Sequence, residues 1–205
     1  DLNAGTERFT LTGYKNKVTA VAISSDASVA ISGGAIDRIL KVWDVATGTE
    51  RLALTGHQNE LTSAAISADA SVAVSGAIDR ILKVWDLTAS AEGVPLKGHS
   101  SLVMAVAISN DASVAVSGSH DRTMKVWDLT NGTERFTLSS HNSWVMGVAM
   151  SADGSVAVSA SADHTVKVWD LTTGTERFTL SGHKAYVSAV AVSADGSIAV
   201  SGSHD

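Results

Sequence analysis

Apolar and polar residues alternate along this chain with a period of two, in short runs cut by turn residues. One stretch shows the pattern well. Val145–Ser151 reads as a strand and is ended by Ala152, Asp153 and Gly154, of which aspartate and glycine tolerate left-handed backbone. Ser155–Ser159 alternates as a second strand, Ala162, Asp163 and His164 turn again, and Thr165–Trp169 alternates as a third. Thr172–Gly174 makes one more turn before Glu176–Leu180, the fourth strand. No segment has the 3.6-residue period of a helix. Four strands joined by tight turns in about 42 residues predict an antiparallel meander, and hence an all-β fold.

The unit recurs. Trp43, Trp85, Trp127 and Trp169, each followed by aspartate, stand 42 residues apart, as do Asp37, Asp79, Asp121, Asp163 and Asp205. Gly-His pairs begin at Gly56, Gly98 and Gly182, with Ser140-His141 and Gly13-Tyr14 as variants. A single such sheet has two faces and cannot bury both, so copies must stack, and radial stacking closes into a propeller. Gly-His, a turn aspartate and Trp-Asp at this period together resemble the WD-repeat family over essentially the whole chain. A lone Trp-Asp carries no weight; its recurrence does.

The resemblance implies a β-propeller of four-stranded antiparallel blades, with about five repeats present. Residues 1–12 are expected as the outer strand of a closing or preceding blade. Residues 13–55, 56–97, 98–139 and 140–181 follow as blades one to four, and 182–205 as the first half of a fifth. Asp1 and Leu2 match Asp128 and Leu129, and the fifth repeat stops before its third strand. The expectation is a piece of a seven-bladed or larger array, with a gapped five-bladed ring as the alternative.

The resemblance also implies a buried hydrogen-bond chain in each blade. It would run through Trp85, Ser75, His57 and Asp79, then Trp127, Ser117, His99 and Asp121, then Trp169, Ser159, His141 and Asp163. Ser201, His183 and Asp205 supply the same set without the tryptophan. The physics agrees, because a buried indole N–H needs an acceptor and a hydroxyl can accept while passing a donor onward. Serine, histidine and aspartate are also the members of a nucleophilic triad. Here the set repeats in every unit with its serine inside a strand, so no catalytic residue and no enzyme activity is expected. The first repeat departs, with Tyr14 for histidine and one extra residue within Gly33-Gly34-Ala35; an inserted glycine forming a bulge would make room for the phenol. Pro95 in the second repeat marks the fourth strand as an edge.

Composition narrows function mainly by exclusion. Hydrophobic residues make up 44% of the chain and aromatics only 5%, so the core is built from small aliphatics. A net charge of −6 argues against nucleic acid and against anionic membranes. There is no cysteine, and no apolar run near the roughly 18 residues a membrane helix needs. His120, His164 and His204 lie in loops at blade-scale spacing and form no ligand cluster, so no metal or other cofactor is expected. The compartment stays open, with the cytoplasm favoured.

The repeats act as controls for one another, and two loop positions vary sharply between them. Lys17, Glu60, Leu102, Trp144 and Tyr186 precede the first strand; Ile36, Ile78, His120, Ala162 and His204 precede the turn aspartate. Strand connectivity puts both sets at the same end of the blades, which the resemblance makes the usual partner-binding face. Exposed aromatic and aliphatic anchors there suit a protein or peptide, although loops also vary by drift. The expected function is a non-catalytic protein- or peptide-binding scaffold, an interaction or sensor module of a larger protein. Alternatives are a small molecule or glycan on the same face, or a designed repeat array without a natural ligand. Self-association through open blade edges is a further expectation.

Overall fold

The structure is a computed structural model that describes residues 3–89 and 93–205. Asp1 and Leu2, matched above to Asp128 and Leu129, lie outside the described residues.

The first sheet is built from β1 (Val18–Ile23), β2 (Val29–Gly34), β3 (Ile39–Asp44) and β4 (Thr49–Thr55). The second holds β5 (Leu61–Ile66), β6 (Val72–Ala77), β7 (Ile81–Asp86) and β8 (Val94–Lys97). The third holds β9 (Val103–Ile108), β10 (Val114–Ser119), β11 (Met124–Asp128) and β12 (Thr133–Leu138). The fourth holds β13 (Val145–Met150), β14 (Val156–Ser161), β15 (Thr165–Asp170) and β16 (Thr175–Ser181). The fifth pairs β17 (Val187–Val192) with β18 (Ala199–Ser203). Every pairing is antiparallel and joins strands adjacent in sequence, as a meander requires. There is no helix among the described residues.

Alternation decides how the sheets stack. On β10, Val114 and Val116 point to one face while Ala115 and Ser117 point to the other. The valine face, with Met124, Val126 and Leu138, packs against Val148, Ala157, Trp169 and Leu171 of the fourth sheet. The alanine face, with Trp127, packs against Val74, Leu82 and Leu96 of the second sheet. The first three junctions therefore each set an aliphatic face against a face where one indole lies beside alanine, and large meets small at close packing. The inner strands β1, β5, β9, β13 and β17 lie side by side in that order. The two outward faces of the row stay bare: Val21 is 74% and Ile23 56% exposed at one end, Ile198 65% and Val200 63% at the other.

A belt of backbone hydrogen bonds ties the turns after the inner strands. Ser25 N–H donates to Ala68 O, Ala68 to Asn110, Asn110 to Ala152 and Ala152 to Ala194, at 2.9 to 3.3 Å. Within each turn an aspartate organises its neighbours; Asp111 accepts the Ser109 hydroxyl at 2.6 Å and the Ser113 amide at 3.0 Å.

The first repeat corrects one expectation. The register irregularity between the first two strands occurs in all five sheets, so the extra residue makes no additional bulge there. It lengthens the β2–β3 turn instead: Arg38 N–H reaches back to Gly34 O, whereas Arg80 N–H reaches Ala77 O one residue nearer. Room for Tyr14 comes from Gly34, where an added Cβ would stand 2.4 Å from the phenol ring. Pro95 lies on β8, the edge of its sheet, opposite Lys83. Residues 7–12, within the span 1–12 expected as an outer strand, are not part of any β-strand. Phe9 nonetheless sits over Gly48, as Phe136 of β12 sits over Gly174 of the next sheet.

The turn between the first two strands needs a left-handed residue at one position. Ala27, Ala70 and Ala112 hold it at φ of 57 to 59°, and Gly154 and Gly196 at 71 and 72°. A side chain in that region costs about 1 kcal/mol. Gly154→Ala is therefore expected to lower stability by about 1 kcal/mol, and Ala112→Gly to leave it unchanged or raise it. Urea denaturation of both variants checks this; a stabilising Gly154→Ala would contradict it.

Candidate functional site

Serine, histidine and aspartate meet inside the sheets, and the geometry shows how each is used. In the third sheet the Trp127 indole N–H donates to Ser117 Oγ at 2.8 Å. His99 Nε2 lies 2.7 Å from the same oxygen, and His99 Nδ1 lies 2.8 Å from Asp121 Oδ2. With the indole donating to Oγ, the hydroxyl proton goes to Nε2, and Nδ1–H donates to the carboxylate. A neutral imidazole in one tautomer satisfies every partner. The second sheet repeats this with Trp85, Ser75, His57 and Asp79, and the fourth with Trp169, Ser159, His141 and Asp163. Each aspartate also accepts the backbone N–H after the histidine, from Gln58, Ser100 or Asn142, at 2.9 Å. Ser75, Ser117 and Ser159 are wholly buried, with each hydroxyl engaged on both sides, so none is placed to attack a substrate.

The first sheet solves the same problem differently. Trp43 donates to Ser32 Oγ at 2.7 Å, and the Tyr14 hydroxyl lies 2.8 Å from that oxygen while donating to Ser32 O. Asp37 has no imidazole beside it and accepts the Lys15 N–H at 3.0 Å. In the fifth sheet His183 still bridges Ser201 and Asp205, but in an exposed setting.

The variable loop residues meet at the opposite end from the hydrogen-bonded belt. Ile78 N–H donates to Glu60 O, His120 to Leu102, Ala162 to Trp144 and His204 to Tyr186, at 2.9 to 3.0 Å. The two sequence sets are thus neighbours within each repeat. In the first repeat the partner of Lys17 is Ala35, not Ile36. Ile36 belongs to the enlarged turn and is exposed. Contacts also cross between sheets. His120 stacks on Trp144, ring centroids 4.3 Å apart and planes 13° apart. His164 and His204 flank Tyr186 at 5.8 and 6.4 Å. Trp144 is 49% and Tyr186 55% exposed, Lys17 and His204 are exposed, and Glu60, Leu102, Ile78 and His120 are half-buried. Burial pushes the His120 imidazole below its ordinary value, and its Nε2 is buried without a hydrogen-bond partner among the described residues.

The family model described as WD domain, G-beta repeat matches residues 5–44, 48–86, 92–128, 132–170 and 174–205. The chain belongs to the WD-repeat family. Its sheets are WD-repeat propeller blades, and WD repeats generally act as non-catalytic scaffolds for protein interactions. No curated protein matches the chain.

One residue of the WD-repeat loop face went unmarked in the sequence. His164, a turn residue outside the two variable sets, takes the left-handed position, φ 72°, that Arg38, Arg80 and Arg122 hold in the first three repeats. Arg38 uses that position to reach across to Gln58 O at 3.1 Å, and His164 uses it to reach Tyr186. The signal was present as an arginine-to-histidine change between repeats.

Ser117→Ala would leave the Trp127 N–H and His99 Nε2 unpaired in the core, so a loss of about 1–3 kcal/mol is expected in chemical denaturation; no loss would show that the relay holds nothing. Stability should also depend on acid in two stages. Burial would raise the Asp163 carboxyl, but hydrogen bonds from Thr165, His141 and the Asn142 amide bring it down to about 2. Burial pushes the His141 imidazole below 6.5 despite the pull of Asp163. Both folded values are depressed, so the unfolded chain binds more protons in acid and stability falls as pH falls. The melting temperature should drop from about pH 6.5 downward through histidine, then again from 3.8 towards about 2 through aspartate. His141→Gln should flatten the upper stage; a profile it leaves unchanged would contradict this assignment.

Proposed function

We propose that this chain is a non-catalytic scaffold that binds a protein or peptide on the loop face. The face is formed by Lys17, Ile36, Glu60, Ile78, Leu102, His120, Trp144, Tyr186 and His204. The observation that carries the reading is the aromatic row across the third, fourth and fifth repeats, in which Trp144 and Tyr186 stay half-exposed while His120 and His164 brace them from the preceding blade. Bracing matters physically. A large side chain already fixed in place loses little entropy on binding, so its apolar area contributes fully to affinity. The blades themselves make the face rigid, since in the second to fifth repeats one backbone hydrogen bond ties the two variable positions together.

A polypeptide suits this row better than a sugar. His120 already covers one face of the Trp144 indole, which takes away part of the stacking surface a sugar would use. Two cavities, of about 360 and 310 Å³, lie at the two ends of the blade row, lined by Val166, Leu180 and Val200 at one and by Leu11, Val21 and Trp43 at the other.

A displayed peptide library selected on the chain tests the reading. Enriched peptides are expected to lose at least tenfold in affinity to Trp144→Ala and to Tyr186→Ala, with folding unchanged because both side chains are half-exposed. Peptides indifferent to both substitutions would place the binding face elsewhere.

A further inference from the structure

The loop face is divided by charge. Its later repeats carry the aromatic row, and its first three carry cations: Lys15, Lys17, Arg38, Arg80 and Arg122, all exposed. On the strands, Lys41, Lys125, Lys167 and Arg177 each pair with a carboxylate. Among the described residues Lys15, Lys17, Arg80 and Arg122 have no such partner, and Arg38 donates to a backbone oxygen, Gln58 O, at 3.1 Å. The three arginines hold one structural position, the left-handed residue of the turn between the second and third strands, at φ of 57 to 72°. Gln58 lies 20 residues beyond Arg38. The equivalent residues are Ser100 for Arg80 and Asn142 for Arg122, and Asn142 precedes Trp144 by two positions. The arginine row therefore leads into the aromatic row at Trp144.

The carboxylates of the same face are engaged by the blades themselves. The side chains of Asp79, Asp121 and Asp163 are 7 to 8% exposed, and each accepts a histidine Nδ1–H and a backbone amide. Asp37 accepts the Lys15 amide and Asp205 the Lys184 amide. Glu60, half-buried, is the remaining carboxylate of the face. These charges offset part of the cationic field, but their oxygens are mostly committed, so the groups still able to take a partner on the first three repeats are cations. The belt end is the reverse. Asp26, Asp69, Asp111, Asp153 and Asp195 each accept a serine hydroxyl there, and none forms an ion pair among the described residues. On a chain of net charge −6, this distribution repels an anionic ligand from the belt end and turns it towards the loop end.

We propose that the partner of the loop face is an acidic polypeptide segment, whose carboxylates meet the row of Arg38, Arg80 and Arg122 and whose apolar anchor meets Trp144. This rests on the loop face being the binding face and adds the chemistry of what it binds. The two halves divide the work. The arginine fork matches a carboxylate with two parallel N–H bonds and fixes where along the face the segment lies. Exposed charges of this kind govern encounter rate and partner choice, while the braced aromatic side chains supply apolar contact. A basic segment meets the same cations as repulsion, so the face discriminates as well as attracts.

Three displayed peptide libraries test it on the 205-residue chain. They share their apolar positions and differ only in the residues between them: aspartate and glutamate, serine and asparagine, or lysine and arginine. Binders are expected from the acidic library, enriched at least tenfold over the other two. Their affinity, read by fluorescence anisotropy, should fall about tenfold between about 50 and about 500 mM salt. Arg122→Glu should cost about tenfold, whereas Arg51→Glu, the same change of net charge near the belt end of β4, should cost less than about twofold. Both arginines are exposed, so the fold is spared, and the urea midpoint of each variant checks it. Arg80→Glu combined with Arg122→Glu should move the preference towards the basic library. Equal yields from the three libraries, with binding lost to Trp144→Ala, would keep the loop face as the binding face and overturn the acidic partner. Binding indifferent to Trp144→Ala and Arg122→Glu alike would overturn both readings, as would the absence of binders from every library.

Discussion

The tryptophan of the third strand is the interaction on which the rest of the structure depends. Its ring fills the junction with the preceding blade: Trp127 lies among Val74, Leu82 and Leu96, and Trp169 among Val114, Val116 and Met124. Its N–H is buried with it and must find an acceptor, which the second strand supplies as a serine, and the serine in turn meets a histidine bound to aspartate, or Tyr14 in the first sheet. One side chain thus couples packing between blades to hydrogen bonding within a blade. Truncating such a ring costs on the order of 3–5 kcal/mol, and orphaning its partners adds to that.

This coupling also explains why the chain tolerates change so unevenly. Positions that touch the tryptophan or its relay repeat almost unchanged from blade to blade, and the one major departure, Tyr14, brings Gly34 with it for room, while Asp37 keeps the backbone amide that the other turn aspartates accept. The side chains before the first strand and before the turn aspartate take no part in the relay's hydrogen bonds. Lysine, glutamate, leucine, tryptophan and tyrosine can therefore follow one another at a single structural position, each held by the same backbone hydrogen bond. A rigid frame with free positions at one end is what a recognition surface needs, and it is also why WD repeats serve generally as interaction scaffolds.

Much of this was legible in the sequence. Period-two alternation with turn residues defined the strands, and the 42-residue recurrence of Trp-Asp defined their grouping. The relay came from the resemblance to the WD-repeat family and agrees with the need of a buried indole N–H for an acceptor. The sequence was less informative where packing between blades decides. The extra residue of the first repeat looks the same on paper whether it makes a bulge or lengthens a turn, and only the backbone shows that Ala35, not Ile36, partners Lys17. The stacking of His120 on Trp144 joins residues of different repeats, which no pattern within one repeat can reveal.

Hydrogen exchange of the five indole N–H groups, followed by NMR, tests the account most directly. The groups of Trp43, Trp85, Trp127 and Trp169 each donate to a serine hydroxyl and should exchange only on global unfolding, while that of the half-exposed Trp144 should exchange at once. Exchange of any of those four as fast as that of Trp144 would contradict the claim that the tryptophan relay holds the blades together.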